Sequence, residues 1–407
     1  MTESTVINGT KLVTPNDSYK FFSDVFDDGA KQTNGRFATY EIDFLDSNFA
    51  GSASMFDDVD AADRWYQGMA DAALERNIAI QYCLPSATDM LVSLRLPAVV
   101  QARASSDYAE LDTLNVAQLG GSSLLMGAVS IAPSKDTLWT RSPQPPTYSD
   151  YIRDGTYTTN PHVQLDVTLA VLSLGPVGIS DGLGQTDVEL ISMTYMSSID
   201  GTLLRPSRPL SFVDSVYYNR TVAAGGHLPW NDVRSTHAAV PSEVNGKNFL
   251  QISHYVVVWR TTTPTTLAAT DLFPLPRPDT KLAFRQITFP PRSSGPINLS
   301  SFTIAPLEEG GIVLPATGGD VSNFSAWAIY EPLPNGVYFL GETDKIVSAS
   351  PQRFLFVRVS STVGKSVICG VRGSPGQTLT LRALLPSSNI VGWEGTLPAS
   401  GYIEAEF

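Results

Sequence analysis

Cysteine is nearly absent from this chain: Cys83 and Cys369 are the only two in 407 residues, and they stand far apart. No disulfide framework can hold such a fold, so its stability must come from buried apolar surface. One long-range bridge or two buried free thiols are the alternatives, and the free thiols are the expectation. Long apolar runs are missing as well. No stretch of about 18 apolar residues occurs, so no membrane-spanning helix is expected. Basic charge is scarce, with 27 Lys and Arg against 40 Asp and Glu and a formal net charge of -13. A chain this acidic lacks the clustered cations that displace counterions from a phosphate backbone. No zinc-finger, helix-turn-helix or RNP-like pattern is present either, and nucleic acid is set aside as a partner. Histidine is rare, and His162, His227, His237 and His254 lack any metal-ligand spacing. Neither a metal nor another cofactor is expected. Gly182-Leu-Gly184 is too short for a dinucleotide loop. The start, Met1-Thr-Glu-Ser-Thr, has neither the basic nor the apolar region of a secretory signal. Sequons at Asn8, Asn16, Asn219, Asn298 and Asn323 lend slight support to a secretory route, and the compartment stays open.

What is present is enough apolar material, 43% of the residues, for sizeable cores and two or three domains. The first half alternates between helical and strand patterns. Residues 16–31 place Phe21, Phe22, Val25 and Phe26 at helical spacing behind capping residues, and Phe37 to Leu45 reads as a buried strand. Asp60 to Arg76 is the clearest helix, with Trp65, Met69, Ala72 and Ala73 on one face. Strand patterns follow at Ile78–Leu84 and Pro97–Arg103, with a short helix over Thr88–Leu94 between them. Val116–Ala132 reads as a helix running into a strand, and Val167–Ile179 as a further helix–strand unit. Thr10 to Pro15 could add one more strand. Alternation at this spacing predicts a parallel sheet built from right-handed crossovers.

After about residue 204 helical periodicity stops. Short alternating strands recur at roughly 8–12 residues, which is the pattern of a β-sandwich. Phe249–Trp259, Gly336–Leu340, Arg353–Val359 and Thr378–Arg382 are the best examples. The expected fold is α/β plus all-β, with residues 1–204 as one domain and 205–407 as a β-sandwich region. Turn-rich stretches suggest that this region divides into two sub-domains near 290–325.

In parallel α/β barrels, functional side chains stand at the C-terminal ends of strands. Carboxylates recur at such positions here: Asp43 and Asp46, then Asp107, Asp136 and Asp181. That placement suits chemistry in which two carboxylates flank a scissile glycosidic bond. Arg103 precedes Asp107, Tyr82 ends a strand, and Trp139 follows Asp136 as a candidate stacking platform. These residues are the candidate substrate contacts.

The first half resembles family 36 of the glycoside hydrolases, the α-galactosidase and raffinose synthase group. The resemblance is carried by TYEIDFL (39–45), QYCLP (81–85), ARASSDY (102–108), LGPVGISD (174–181) and DGTLLRPSRP (200–209). It covers roughly residues 35–220. It implies about the last five strands of a (β/α)8 TIM-type barrel followed by antiparallel β-sandwich structure. It also implies retaining hydrolysis or transfer of an α-glycoside without a cofactor. By position, Asp43 would be the nucleophile and Asp107 the acid/base, with Arg103 in the matching Arg-x-Ser-x-Asp setting and Asp181 lining the pocket. Two departures stand out. Glu41 replaces a Lys that the family often uses to grip sugar hydroxyls, which bears on galactose specificity. The family's first three barrel strands have no counterpart before residue 37, so the chain reads as a C-terminal fragment, an open sheet, or a sheet completed by another chain.

Plainer readings stand beside these. Asp43 and Asp46 could be loop carboxylates, Arg103 a structural partner of Asp107, and Asp181 a turn residue. Trp139 could be packed behind a Lys135/Asp136 loop, and Cys83 could be an inert thiol. The expected partner is an oligosaccharide or glycoside, with self-association or a missing N-terminal half as further expectations. The rival reading is a non-catalytic carbohydrate-binding or structural protein derived from such an enzyme. A third reading gives the β domains an assembly role beside an inert barrel remnant.

Overall fold

The computed structural model describes residues 4–7, 10–45, 47, 49, 55, 58–105, 114–135, 137–144, 160, 162–175, 178–199, 201–213, 236–246, 250–277, 279–290, 302–306, 311–318 and 323–407. The chain divides into two compact units, residues 1–104 with 122–134, and residues 105–121 with 135–407.

The first unit opens with a hairpin, β1 (Ser4–Ile7) and β2 (Thr10–Val13), followed by helix α1 (Ser18–Gln32). Strand β3 (Thr39–Ile42) then alternates with helix α2 (Ala61–Glu75), strand β4 (Ala79–Tyr82), helix α3 (Ala87–Val92) and strand β5 (Val99–Arg103). Residues 122–128, the later part of helix α4 (Leu114–Ala128), lead into strand β6 (Ala132–Ser134). The four strands form one parallel sheet in the order β3-β4-β5-β6, as the alternation predicts.

Aromatic packing explains how the helices sit on this sheet. Phe22 and Phe26 recur at helical spacing on α1 and are buried, as is Trp65 on α2. Phe22 meets Trp65 edge-on with ring centroids 5.1 Å apart, and Phe26 meets Tyr40 of β3 at 5.1 Å. Burying side chains of this size stabilises by roughly 1.5–3 kcal/mol each. Gly68 on α2 is required by close approach, because a Cβ there would strike the backbone of Tyr19 at the start of α1. Helix α2 ends where Asn77 adopts a left-handed φ of 56°, a conformation Asn tolerates.

The second unit carries helix α5 (Val163–Leu172), helix α6 (Val188–Ser192) and fourteen strands from β7 onward. Helix α5 is mostly apolar, with Gln164, Asp166 and Thr168 as its polar residues, and it is buried from Leu165 to Leu172. Strands β7 (Ser211–Phe212), β8 (Thr236–Asn245), β9 (Leu250–Trp259), β11 (Lys281–Gln286), β12 (Phe302–Pro306) and β14 (Phe324–Tyr330) make a six-stranded antiparallel sheet, ordered β12-β11-β14-β9-β8-β7. Between them in sequence, β10 (Thr265–Leu267) and β13 (Ile312–Leu314) form a two-stranded sheet. The last six strands are β15 (Tyr338–Gly341), β16 (Phe354–Val359), β17 (Val367–Arg372), β18 (Thr378–Leu384), β19 (Ile390–Thr396) and β20 (Tyr402–Glu406). They form two three-stranded sheets, β15-β18-β19 and β16-β17-β20. Alternate residues of both meet in one core that includes Phe339, Phe354, Leu381 and Ala405, with Phe339 and Phe354 perpendicular at 4.9 Å.

Sequence pattern changes near residue 204, but hydrogen bonding ties residues 135–204 to the β-rich part. The reason is a fully buried guanidinium. Arg353 donates from Nε to Glu342 (2.5 Å), from Nη1 to the Arg372 carbonyl (2.7 Å) and from Nη2 to the Met196 carbonyl (2.7 Å). Lys345 donates to the Ser192 carbonyl (2.7 Å), and the Ser197 and Ser374 hydroxyls bond at 2.5 Å. The turn that presents Glu342 needs Gly341, whose φ is 69° and whose Cβ would overlap the Ser348 carbonyl.

Arg353→Ala leaves Glu342 buried without its cation and should cost about 3–5 kcal/mol. The paired replacement Glu342→Leu with Arg353→Met should cost clearly less, as read from urea denaturation midpoints of the three proteins.

Candidate functional site

A parallel strand sends alternate side chains to opposite faces, and the register decides which residues share a face. Ile42, Tyr82, Ala102 and Pro133 stand in line across β3 to β6. Tyr82 is fully buried, and its ring lies 6.0 Å from Tyr66 of α2, so this is the helix-covered face. Glu41, Gln81 and Gln101 stand in line on the other face. Asp43, Cys83 and Arg103 follow them at the C-terminal edge by the same alternation. One face of the sheet is therefore apolar and the other polar.

Asp43 is held by main-chain bonds on either side of it. Cys83 N–H donates to the Ile42 carbonyl (2.9 Å), and Leu45 N–H donates to the Cys83 carbonyl (3.5 Å). The second residues beyond the two strand ends, Phe44 and Leu84, take left-handed φ values of 55° and 49°. The Asp43 side chain is exposed, and its Oδ1 accepts the Phe44 N–H at 2.7 Å. Cys83 is buried between the two strand ends. Burial, then the neighbouring carboxylates of Asp43 and Glu41, push its thiol well above the usual thiol range, while Arg103 opposes the shift. The cluster thus contains an exposed carboxylate, a second carboxylate, a neutral thiol and a guanidinium. It offers a nucleophile or an anionic stabiliser together with hydrogen-bonding partners for hydroxyls.

Tyr82 is not brought to this face. Its neighbour Tyr66 donates to Asp89 at 2.5 Å, and burial followed by that bond pushes the Tyr66 hydroxyl up. Asp89 also closes the capping box of α3, accepting Ser86 N–H at 2.7 Å. Asp46, Asp107 and Asp136 lie outside the described residues.

In the second unit, Leu138 and Ile179 form a parallel bridge, and Asp181 lies just beyond it. Asp181 accepts from Thr140 N–H (2.8 Å), Gln144 Nε2 (2.7 Å) and the Thr140 hydroxyl. Gln144 in turn accepts Gly182 N–H at 2.9 Å. Both carboxylate oxygens thus join the 138–144 and 179–187 segments. Trp139 is buried at 3% exposure and does not present an open ring face. Lys135 is also buried, with Nζ 3.7 Å from Asp166, and Asn160 donates to Asp166 at 2.8 Å. Sequence reasoning passed over Asp166, although a single charged residue inside a mostly apolar helix is the signal for a buried polar cluster. Among the described residues, no group of three or more His, Cys, Asp or Glu could hold a metal ion, and no helix is long and apolar enough to cross a membrane.

No family model matches the sequence, and no curated protein matches it. Similar solved structures include a glycoside hydrolase family 97 enzyme from Pseudoalteromonas sp. strain K8 in complex with acarbose, at 11% identity and a TM-score of 0.37. A variant of a family 97 enzyme from that strain in complex with panose gives the same figures. Both alignments cover 78% of this chain and 45% of the other, so the chain spans less than half the length of these structures. A glycoside hydrolase family 5 structure from Bacteroides vulgatus ATCC 8482 is similar at 11% identity and a TM-score of 0.25, covering 78% of this chain and 86% of that one.

Removing the Asp43 charge removes one cause of the raised Cys83 thiol. Asp43→Asn should therefore speed alkylation of Cys83 by iodoacetamide at pH 8 to 9, severalfold over the parent. Mass spectrometry of the Cys83 peptide measures it, with the Cys369 peptide as the internal control.

Proposed function

We propose that this chain carries the working face of a retaining glycoside hydrolase or transglycosidase acting on α-glycosides. The observation that supports it most is Asp43, an exposed carboxylate at the C-terminal end of a parallel strand, fixed on both sides by main-chain bonds to Cys83. Catalytic carboxylates in parallel α/β barrels stand at this position. In the proposed reaction Asp43 attacks the anomeric carbon, and the bond to the leaving oxygen breaks as Asp107 gives that oxygen its proton. Asp107 then takes a proton from water or an acceptor sugar, which attacks the anomeric carbon and releases Asp43. Arg103, Asp46, Asp136, Trp139, Asp181 and Tyr82 are proposed to contact or to support the substrate. The support differs among them. Arg103 shares the polar face, whereas Tyr82 and Asp181 would act through packing and loop placement. Within this reading, residues up to 204 belong to the barrel portion and 205–407 to the sandwich.

One observation favours a second reading, sugar binding without turnover. Asp43 Oδ1 is already engaged by the Phe44 N–H at 2.7 Å, so one of the two oxygens a nucleophile would offer is occupied by the main chain.

A panel of aryl α-glycosides tests the first reading. Asp43→Gly should lower kcat by roughly 10⁴-fold or more, and added azide should partly restore release of the aryl group. Undiminished turnover in that variant would remove Asp43 from the reaction. Saturable sugar binding by the parent, with no turnover and no covalent adduct by intact-mass analysis, would establish the second reading instead.

A further inference from the structure

Phe44 directly follows Asp43, and its φ of 55° lies in the left-handed region. A bulky aromatic is costly there, since Gly, Asn or Asp take that conformation with less strain. Among the described residues it is the one aromatic in that region; the other non-glycine residues are Asn, Asp, Ser, Leu and Arg. Burial of the ring would offset the strain, yet Phe44 is 61% exposed. Its main chain, by contrast, is fully engaged. The N–H donates to Asp43 Oδ1 at 2.7 Å, and the carbonyl accepts Ser47 N–H at 3.0 Å and the Ser47 hydroxyl at 3.3 Å. The backbone is pinned and the ring is left exposed, on the residue that directly follows the exposed Asp43 carboxylate. Single exposed apolar side chains are ordinary on protein surfaces. One held in a strained conformation next to a reactive group is not, because strain persists where function requires it.

An aromatic face is apolar and electron-rich at its centre, and it complements the C–H groups on one face of a sugar ring. We propose that the Phe44 ring is the platform on which the C–H face of a pyranose stacks beside Asp43. This assignment rests on the carbohydrate reading of the site, and it names how the sugar would be gripped: by its apolar face, with Asp43, Glu41 and Arg103 left for polar contacts.

The test uses the full chain and Phe44→Asn, which takes the left-handed backbone readily, with Phe44→Trp as the conservative variant. Methyl α-glucopyranoside and methyl α-galactopyranoside are the probes in saturation-transfer NMR with irradiation of aromatic protons. Transfer to the pyranose C–H protons is expected in the parent and in Phe44→Trp, and is lost in Phe44→Asn. The Tm of Phe44→Asn should hold or rise. With a turned-over aryl glycoside, the Phe44→Asn loss should fall mainly on KM, by about tenfold. Transfer without turnover leaves the platform standing and sinks the enzyme reading. Equal transfer and KM in parent and Phe44→Asn overturn the platform, as does absence of binding by the parent. A fall of several degrees in Tm also overturns it, since the ring would then be packed.

Discussion

The parallel register of β3 against β4 is the constraint on which the candidate site depends. Ile42 faces Tyr82 across the sheet, and Glu41 faces Gln81. A slip of one residue would turn Tyr40 and Ile42 toward the polar face and press Glu41 against Phe22 and Phe26 of α1. The aromatic layer between sheet and helices forbids it, because each ring fills a place shaped by its neighbours. Hydrophobic packing on one side of the sheet thus sets the chemistry of the other side. The same register carries past the strand ends, where Cys83 bonds to Ile42 and Leu45 and fixes the Asp43 main chain between them.

In the second unit a polar interaction plays the organising part. The Arg353 guanidinium is fully buried, and it is tolerable there because Glu342 and three further oxygens accept from it. Hydrophobic collapse alone would not have placed the Met196 carbonyl against the sandwich. The cation requires an acceptor at that point, and the 193–197 segment supplies it.

Periodicity made most of the elements legible. Helices α1 and α2, strands β3, β4 and β5, and the strand at Leu250–Trp259 lie where apolar spacing puts them, because packing demands the same spacing that reading detects. The orientation of single residues was less legible. Tyr82 ends a strand, as a site residue would, but a period of two places it with Ile80 against the helices. Gln81 and Cys83 take the polar face instead. Asp181 carried a strand-end position without the information that Thr140 and Gln144, some forty residues earlier, would occupy both its oxygens. Contacts of that separation leave no local pattern. The left-handed backbone at Phe44 was equally hidden, since propensity points to Gly or Asn for such a turn. In both cases tertiary structure overrides what local sequence favours.

The Arg353 anchorage also bears on how this chain could have been assembled from ancestral parts. A β-sandwich that closes on itself can be copied, fused and moved between genes as a self-contained module. Here the sandwich core holds a cation whose acceptors include a carbonyl far upstream, so a recombination point near residue 204 would carry the guanidinium away from Met196. A heritable block would have to begin upstream of that segment. The sandwich and the 193–197 strap are expected to have travelled through evolution as one piece.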